Sequence, residues 1–338
     1  MTRVARALSV ARDLVLAALV LPFLLPLWLL PWRLAVALAR CYGFLGFVAW
    51  GKARRAGMLN LRRAYGAEMT HSRAASAVAA VFGSLAQSMA EGVQFARRHG
   101  AGDDWRGLVE VEDPVLAARL LADPRPKVFA TGHLGSWEIA IAVLERSTGR
   151  PGAAIVRRVD NPFLQALVLR LRVRNPRQWI EKEGAVDEAL ERLRAGEDVA
   201  ILVDENGGRR GPFVPFFGRP ASTRKTAALL AARTGAALVI GAVVRRAGPR
   251  PFLFRLAEVP IAAGPAATPA DVLDALMRIN AIWETWVRED PLQWRWVHWR
   301  WRTRPDGSEE TYRRRDVHAA FAPSHGPAAE REEATPWR

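Results

Sequence analysis

The sequence predicts an α/β protein with a mixed, largely parallel central sheet flanked by helices, and with an N-terminal membrane-anchoring helix. Three observations carry this. From about residue 108, short apolar runs alternate with longer amphipathic stretches, the pattern of strands joined by helical crossovers. Ahead of them, LVLAALVLPFLLPLWLLPW (Leu14 to Trp32) runs for 19 residues without a charge, near the ~20 that a helix needs to cross a bilayer. Half of the 338 residues are hydrophobic, enough for a full core.

Residues 1–50 read as the membrane segment. A cleaved signal peptide would have a shorter apolar core and a small-residue cleavage site. Here the chain continues PWRLAVALARCYGFLGFVAW, still largely apolar, so a retained anchor is expected. Pro22, Pro26 and Pro31 disfavour a straight helix and leave kinked, re-entrant and interfacial arrangements open. Arg3, Arg6 and Arg12 precede the apolar run and Arg33 and Arg40 follow it, so the positive-inside rule gives little preference. The clusters KARR (Lys52 to Arg55) and Arg62 with Arg63 suit anionic headgroups.

Residues 51–302 read as one α/β domain. Val78, Val81, Phe82, Leu85 and Met89 recur at spacings of three and four, which predicts a helix over about 70–98. KVFATGH, AAIVRR, RQWIEK, DVAILVDE, ALVIGAVVRR and PFLFRLAEVPI read as strands. WEIAIAVLERS, NPFLQALVLRLRVR, AVDEALERLRAG and STRKTAALLAARTG read as helices between them. The helix from Val186 stops at Gly196, and a last helix starts at Thr268-Pro269, an N-cap followed by proline. From Thr303 the chain is charged and rich in Ala, Pro and Glu, so residues 303–338 are expected to be a mostly disordered tail.

The formal charge is +15 and the pI near 11.2. Such a balance points to an anionic partner: nucleic acid, anionic headgroups or a phosphorylated substrate. Genome composition is the plainer source of the bias to arginine, since only four cations are lysines (Lys52, Lys127, Lys182, Lys225). The single cysteine, Cys41, excludes an internal disulfide framework. Six scattered histidines without Cys/His spacing give no metal-ligand pattern, and no metal site is expected.

Four stretches carry chemistry. In TGHLGSWEIA, Thr131 to Ala140, His133 stands at a strand end, Gly135 at a turn and Glu138 in the first turn of a helix. At the carboxyl end of a strand the pair opens into the crevice where α/β folds place ligands. A histidine oriented by a carboxylate is a general base. No G-x-S-x-G elbow surrounds Ser136, so the attacking hydroxyl belongs to a substrate. The plainer alternative is a turn-capping histidine beside a helix-start glutamate. The second stretch, VDENGGRRGPFVPFFGRPAST, follows a strand with Asp204, Asn206 and Arg210 in a glycine-rich basic loop. Its N–H groups and guanidinium forks can face phosphate or carbonyl oxygens. Phe216 and Phe217 read as an exposed pair, with core aromatics as the alternative. The third, VRRVDNPFLQALVLRLRVR, brings Arg157 to a strand end and Arg172 and Arg174 to a helix end, or makes a solvated basic face. The fourth, PLQWRWVHWRWRTRP, interleaves Trp294, Trp296, Trp299 and Trp301 with arginines. That suits single-stranded nucleic acid or a membrane interface; the apolar N-terminus favours the membrane.

Together these stretches resemble the bacterial late lipid A acyltransferases of the lysophospholipid acyltransferase superfamily. The resemblance rests on Asn60-Leu61 after a basic run, H-x4-E at His133 and Glu138, R-x-x-D-N-P from Arg157, the block from Asp204 to Ala221 ending FVPFFGRPA, and Q-W-x-W to T-R-P from Gln293 to Pro305. It covers roughly residues 5–305 and implies a glycerolphosphate acyltransferase-like fold. It also implies transfer of an acyl chain from a thioester, on acyl carrier protein or coenzyme A, to a hydroxyl of a lipid A-type glycolipid. His133 is then the base and Glu138 its partner. Arg172, with Arg174, steadies the acceptor phosphate or the donor, and Asp204 matches an acid after the central strand. Arg157, Asn206 and Arg210 join the candidate substrate-binding residues. No cofactor is implied. The expected place is the inner membrane, with the catalytic domain facing the cytoplasm and no nucleic acid as partner. Ser136, Glu205 and Trp299 depart from the usual pattern and bear on substrate identity. A related glycolipid or lysophospholipid acceptor is the alternative, and a basic nucleic-acid-binding module the remote one.

Overall fold

The computed structural model describes residues 3–99, 104–172, 179–181 and 184–322. Its first four helices are α1 (Arg3–Leu29), α2 (Trp32–Ala49), α3 (Gly51–Tyr65) and α4 (His71–His99). Two stretches, Ser9–Leu29 and Trp32–Ala49, are long and apolar enough to cross a membrane. Helix α1 continues through Pro22 and Pro26, and the chain breaks at Pro31 instead. Pro31 has no N–H to give the Leu27 carbonyl. Gln94 of α4 supplies the bond, its Nε2 lying 2.5 Å from Leu27 O and 3.0 Å from Leu30 O.

The outer face of the hairpin shows Leu14, Leu19, Phe23, Leu29, Leu34, Phe44 and Leu45 to the surroundings. Its inner face is fixed. Gly43 of α2 meets the α4 backbone so closely that a Cβ there would lie 2.5 Å from Phe82 O. The apolar hairpin is thus packed against a helix that itself reaches the functional site.

The α/β part runs β1 (Val109–Val111), α5 (Pro114–Ala122), β2 (Lys127–Thr131), α6 (Trp137–Thr148), β3 (Gly152–Val156), α7 (Pro162–Arg172), β4 (Trp179–Glu181), α8 (Ala185–Arg194) and β5 (Asp198–Leu202). Then come β6 (Phe213–Phe216), β7 (Arg219–Ser222), α9 (Thr226–Thr234), β8 (Ala237–Arg245), β9 (Phe252–Val259), α10 (Pro269–Glu289) and α11 (Arg314–Phe321). The main sheet has seven strands in the order β1-β9-β8-β2-β5-β3-β4. Neighbours are parallel except β8 with β9. All five residues of β2 are buried, as expected of a central strand covered on both faces. The predicted helix signals hold in detail. Thr268 and Asp271 make a capping box, and Gly196, at φ +84°, follows the end of α8.

Two expectations are corrected. Phe216 and Phe217 are buried, not exposed. β6 and β7 form an antiparallel hairpin turned at Phe217-Gly218, both with positive φ, a turn whose twist matches the strands. Phe216 then packs between Trp294 and Trp301, with centroids at 5.4 and 5.7 Å. The tryptophan run is likewise core: Trp294, Trp296 and Trp301 are buried, together with Arg300. Arg300 donates to Ser222 O at 2.6 Å and Thr223 Oγ1 at 2.8 Å, and burial pushes its pKa down to about 10.

The chain after Thr303 differs from the expected tail as far as Ala322. Tyr312 is buried, Arg63 pairs with Glu310 at 2.6 Å, and Arg62 of α3 donates to Ala320 O at 2.9 Å. Residues 323–338 of that expected tail lie outside the described residues.

Candidate active site

Strand pairing brings the site together. Thr131 of β2 is in register with Leu202 of β5, so the residues two positions beyond each, His133 and Asp204, emerge side by side at the carboxyl ends. The approach needs a glycine: a Cβ on Gly132 would lie 2.8 Å from Asp204 Cγ. Asp204 Oδ1 lies 3.0 Å from His133 Nδ1. Its Oδ2 accepts from His133 N at 2.7 Å and from Trp294 Nε1 at 3.0 Å. Burial alone would raise the carboxyl, but the His133 charge and these bonds outweigh it and hold it well below the usual range. Asp204 is therefore a carboxylate whenever a histidine can serve as a base.

The other face of the imidazole meets Trp137, centroids 5.4 Å apart. Its Nε2 lies 3.2 Å from Arg295 Nη1, and the same Nη1 donates to Glu205 Oε1 at 2.9 Å. Glu205 Oε2 lies 3.8 Å from Arg224. His298 stands behind, Nδ1 3.7 Å from Glu205. Burial, with Arg295 nearby, pushes its pKa down to about 4 against the pull of Glu205. Neutral His298 accepts from Asn206 N at 3.2 Å. The closing segment that carries these groups is pinned by Asn60 of α3, whose Nδ2 donates to Trp296 O at 2.8 Å and His298 O at 2.7 Å.

The imidazole is thus held by Asp204, and the expectation that Glu138 orients it is corrected at this contact. Glu138 sits one residue past Trp137 and accepts from its Nε1 at 3.2 Å. Its side chain lies against Gly92 of α4, where an added Cβ would be 2.5 Å from Glu138 Cβ. The reason is helical phase: in the first turn of α6 the stem of Glu138 packs against α4.

The turn after His133 is also accounted for. Gly135 N donates to Gln293 O at 3.0 Å and Ser136 N to Val243 O at 2.7 Å, so neither is free for a substrate oxyanion. Gly135 has φ +65°, and a Cβ there would lie 2.1 Å from Val243 O. The N-terminus of α6 is adjacent, with no side-chain cap from Ser136; its first-turn N–H groups have no intrahelical acceptor.

The remaining candidates divide. Asn206 holds the loop: its Nδ2 donates to Thr303 Oγ1 at 2.9 Å and its Oδ1 accepts from Gly208 N at 3.2 Å. Arg210 lies exposed on the turn Gly208–Arg210. Arg157 is exposed, 4.0 Å from Asp160. Arg172 ends α7, its side chain outside the described residues; Arg174 lies wholly outside them. Among the described residues there is no group of three His, Cys, Asp or Glu that could hold a metal ion. A mainly apolar cavity of about 590 Å³, lined by Leu120, Phe129, Leu144 and Phe254, also touches Lys127 at the start of β2, the opposite end of that strand from His133.

Trp137, Trp294 and Arg295 are the site residues that motif reading missed. The signal for the last two was the spacing Q-W-R-W, which places Trp294 opposite Leu134 in a bridge.

A family model described as "Bacterial lipid A biosynthesis acyltransferase" matches residues 4–303. The chain belongs to this family. Among relatives of the lipid A acyltransferase family, it is 28% identical over 163 residues to the lipid A biosynthesis lauroyltransferase of Escherichia coli K12, covering 48% of this chain and 52% of that protein. It is 29% identical over 165 residues to the lipid A biosynthesis palmitoleoyltransferase of the same strain and to a lipid A biosynthesis acyltransferase of Shigella flexneri, again 48% and 52%. The chain spans about half the length of the relatives it matches.

Proposed function

We propose that the protein is a membrane-associated O-acyltransferase that moves a fatty acyl chain from an acyl thioester to a hydroxyl of a lipid A-type glycolipid. The observation that carries the reading is the buried Asp204–His133 pair at the carboxyl ends of β2 and β5, in a chain of the lipid A acyltransferase family.

The chemistry follows from the tautomer. Asp204 keeps the proton on Nδ1, so Nε2 carries the lone pair. Nε2 takes the proton of the acceptor hydroxyl while that oxygen attacks the thioester carbonyl. The tetrahedral oxyanion is met by donors near the α6 N-terminus. Collapse breaks the carbon–sulfur bond, and the leaving thiolate takes the proton back from Nε2. Glu138 acts at one remove, holding the Trp137 ring against the imidazole. Acyl carrier protein is the proposed donor, an acidic partner for Arg209 and Arg210, both exposed beside the site. Arg157, Arg172 and Arg174 are the proposed contacts to substrate phosphates. The hairpin α1–α2 is proposed to sit in the inner membrane, with the α/β domain in the cytoplasm.

The test is transfer from a labelled acyl-thioester to lipid A precursor, read by mass, with acyl carrier protein and coenzyme A donors compared. His133→Ala should abolish the gain of one acyl chain; transfer that survives would remove His133 as base, and a free fatty acid as product would make the protein a hydrolase. A second result is expected from fractionation. Exposed apolar surface on α1 and α2 should keep the protein in the membrane fraction after a high-salt wash, because salt removes electrostatic but not hydrophobic attachment. Release into the wash would sink the embedded hairpin.

A further inference from the structure

We propose that Arg295 is a latch on the base: its guanidinium fills the place a substrate hydroxyl must take at His133 Nε2, and a phosphate on the incoming substrate draws it aside. The inference rests on the reading of His133 as the base of acyl transfer.

The geometry is specific. With Nδ1 committed to Asp204, the lone pair of Nε2 is the imidazole's remaining acceptor, and Arg295 Nη1 takes it at 3.2 Å. A hydroxyl losing its proton must come within about 2.6–3.2 Å of that same nitrogen. One lone pair does not serve both. Arg295 therefore leaves Nε2 before the proton moves.

The parts that hold it allow this. The backbone is fixed: Arg295 N donates to His133 O at 3.2 Å, and Trp294 and Trp296 on either side are buried. The side chain is 35% exposed and tied to one carboxylate, Glu205, itself 27% exposed. An ion pair that open to solvent is weak. A phosphate offers a guanidinium two parallel charge-assisted bonds. Glu205 can keep a cationic neighbour when Arg295 leaves, since Arg224 already faces its second oxygen. The charged and titratable groups facing the latch are then Asp204, Glu205, Arg224 and His298, with the Trp137 ring beside the imidazole. Among the described residues, the polar contact to Nε2 comes from Arg295 and from none of these groups.

The phosphate has two sources: a phosphorylated glycolipid acceptor, or the phosphodiester of a pantetheine-type donor. In either case binding of the phosphate partner uncovers the base, so the lone pair is offered only when a substrate is seated.

The experiment uses the full-length protein in detergent and diethylpyrocarbonate, which acylates an imidazole nitrogen that has a free lone pair. Modification of His133 is read by peptide mass, with exposed His318 as internal reference. Arg295→Met should raise the His133 rate tenfold or more and leave His318 unchanged; an unchanged His133 rate overturns the latch. Thermal melting checks folding, and Arg295→Lys, which keeps the charge without the fork, gives the second reading if the methionine variant melts early. Turnover then identifies the source. Wild type should prefer phosphorylated over dephosphorylated acceptor, or a phosphopantetheine-borne over a phosphate-free thioester, and Arg295→Met should collapse that preference in kcat/KM. If neither preference changes, phosphate does not work the latch. The modification needs no turnover, and His133→Ala reads the base by turnover, so failure of the latch and failure of the acyl-transfer reading are seen apart.

Discussion

Asp204→Asn should lower kcat for acyl transfer on the order of 10⁴-fold while leaving the fold intact, the size seen when a serine protease loses the matching carboxylate. The argument is about hydrogen positions. Oδ2 of Asp204 takes two N–H donors, from the His133 backbone and the Trp294 indole, and Oδ1 takes Nδ1. An asparagine has one oxygen and one amino group. Its oxygen must stay where two donors converge, because an amino group there would face both N–H groups. The amino group is then left facing Nδ1 and makes that nitrogen an acceptor. The proton moves to Nε2, and a protonated Nε2 cannot take a proton from a hydroxyl. Asp204→Ala, by contrast, leaves the tautomer free but strands two buried N–H groups, each costing about 1–3 kcal/mol. The alanine variant should therefore melt earlier yet keep more activity than asparagine. If Asp204→Asn keeps a tenth or more of wild-type kcat, the carboxylate is a structural acceptor and does not set the tautomer.

This pair also marks where sequence reading stops. The alternation of apolar runs was enough for β2, β3, β4, β5, β8 and β9 and for the helices from α6 to α10, because each element's pattern is local, while the short β1, α5 and the β6–β7 hairpin escaped it. The order of strands is not local. His133 and Asp204 lie 71 residues apart; only the adjacency of β2 and β5 joins them. Glu138 looked the better partner because it is near in sequence, but helical phase turns it towards Gly92. The tryptophan run misled for a related reason. Trp and Arg in alternation have the composition of a membrane interface, yet here the run is an irregular segment folded over β6–β7, with Arg300 buried and its two terminal nitrogens bonded to Ser222 O and Thr223 Oγ1. Tyr312, buried against α3 beyond the expected start of the tail, was hidden by the charged residues around it.

Glu91→Ala should destabilise the protein by about 3–5 kcal/mol, the cost of stripping one partner from a buried ion pair. Glu91 of α4 has a side chain 2% exposed and pairs with Arg245 at the end of β8, whose side chain is 14% exposed. The pair is bidentate at Nε, 2.8 and 2.9 Å to the two carboxylate oxygens. The rest of the guanidinium reaches Ser84 Oγ at 2.8 Å, Ser84 O at 3.0 Å and Gly135 O at 3.4 Å. One side chain thus ties the helix that packs against the apolar α1–α2 hairpin to the turn that carries His133. Alanine leaves the guanidinium buried with neutral oxygens alone, which cannot replace a carboxylate in a low-dielectric setting. At about 2–4 °C per kcal/mol, the melting temperature in detergent should fall on the order of 10 °C. The double variant Glu91→Leu with Arg245→Met removes both charges and should regain most of that loss, since apolar residues of similar volume often replace buried pairs at little cost. Its activity is the sharper reading. If the double variant melts near wild type but transfers acyl chains slowly, the link from α4 to Gly135 positions the base. If it melts and transfers like wild type, the pair contributes stability alone, and the α1–α2 hairpin has no mechanical hold on the site through this contact.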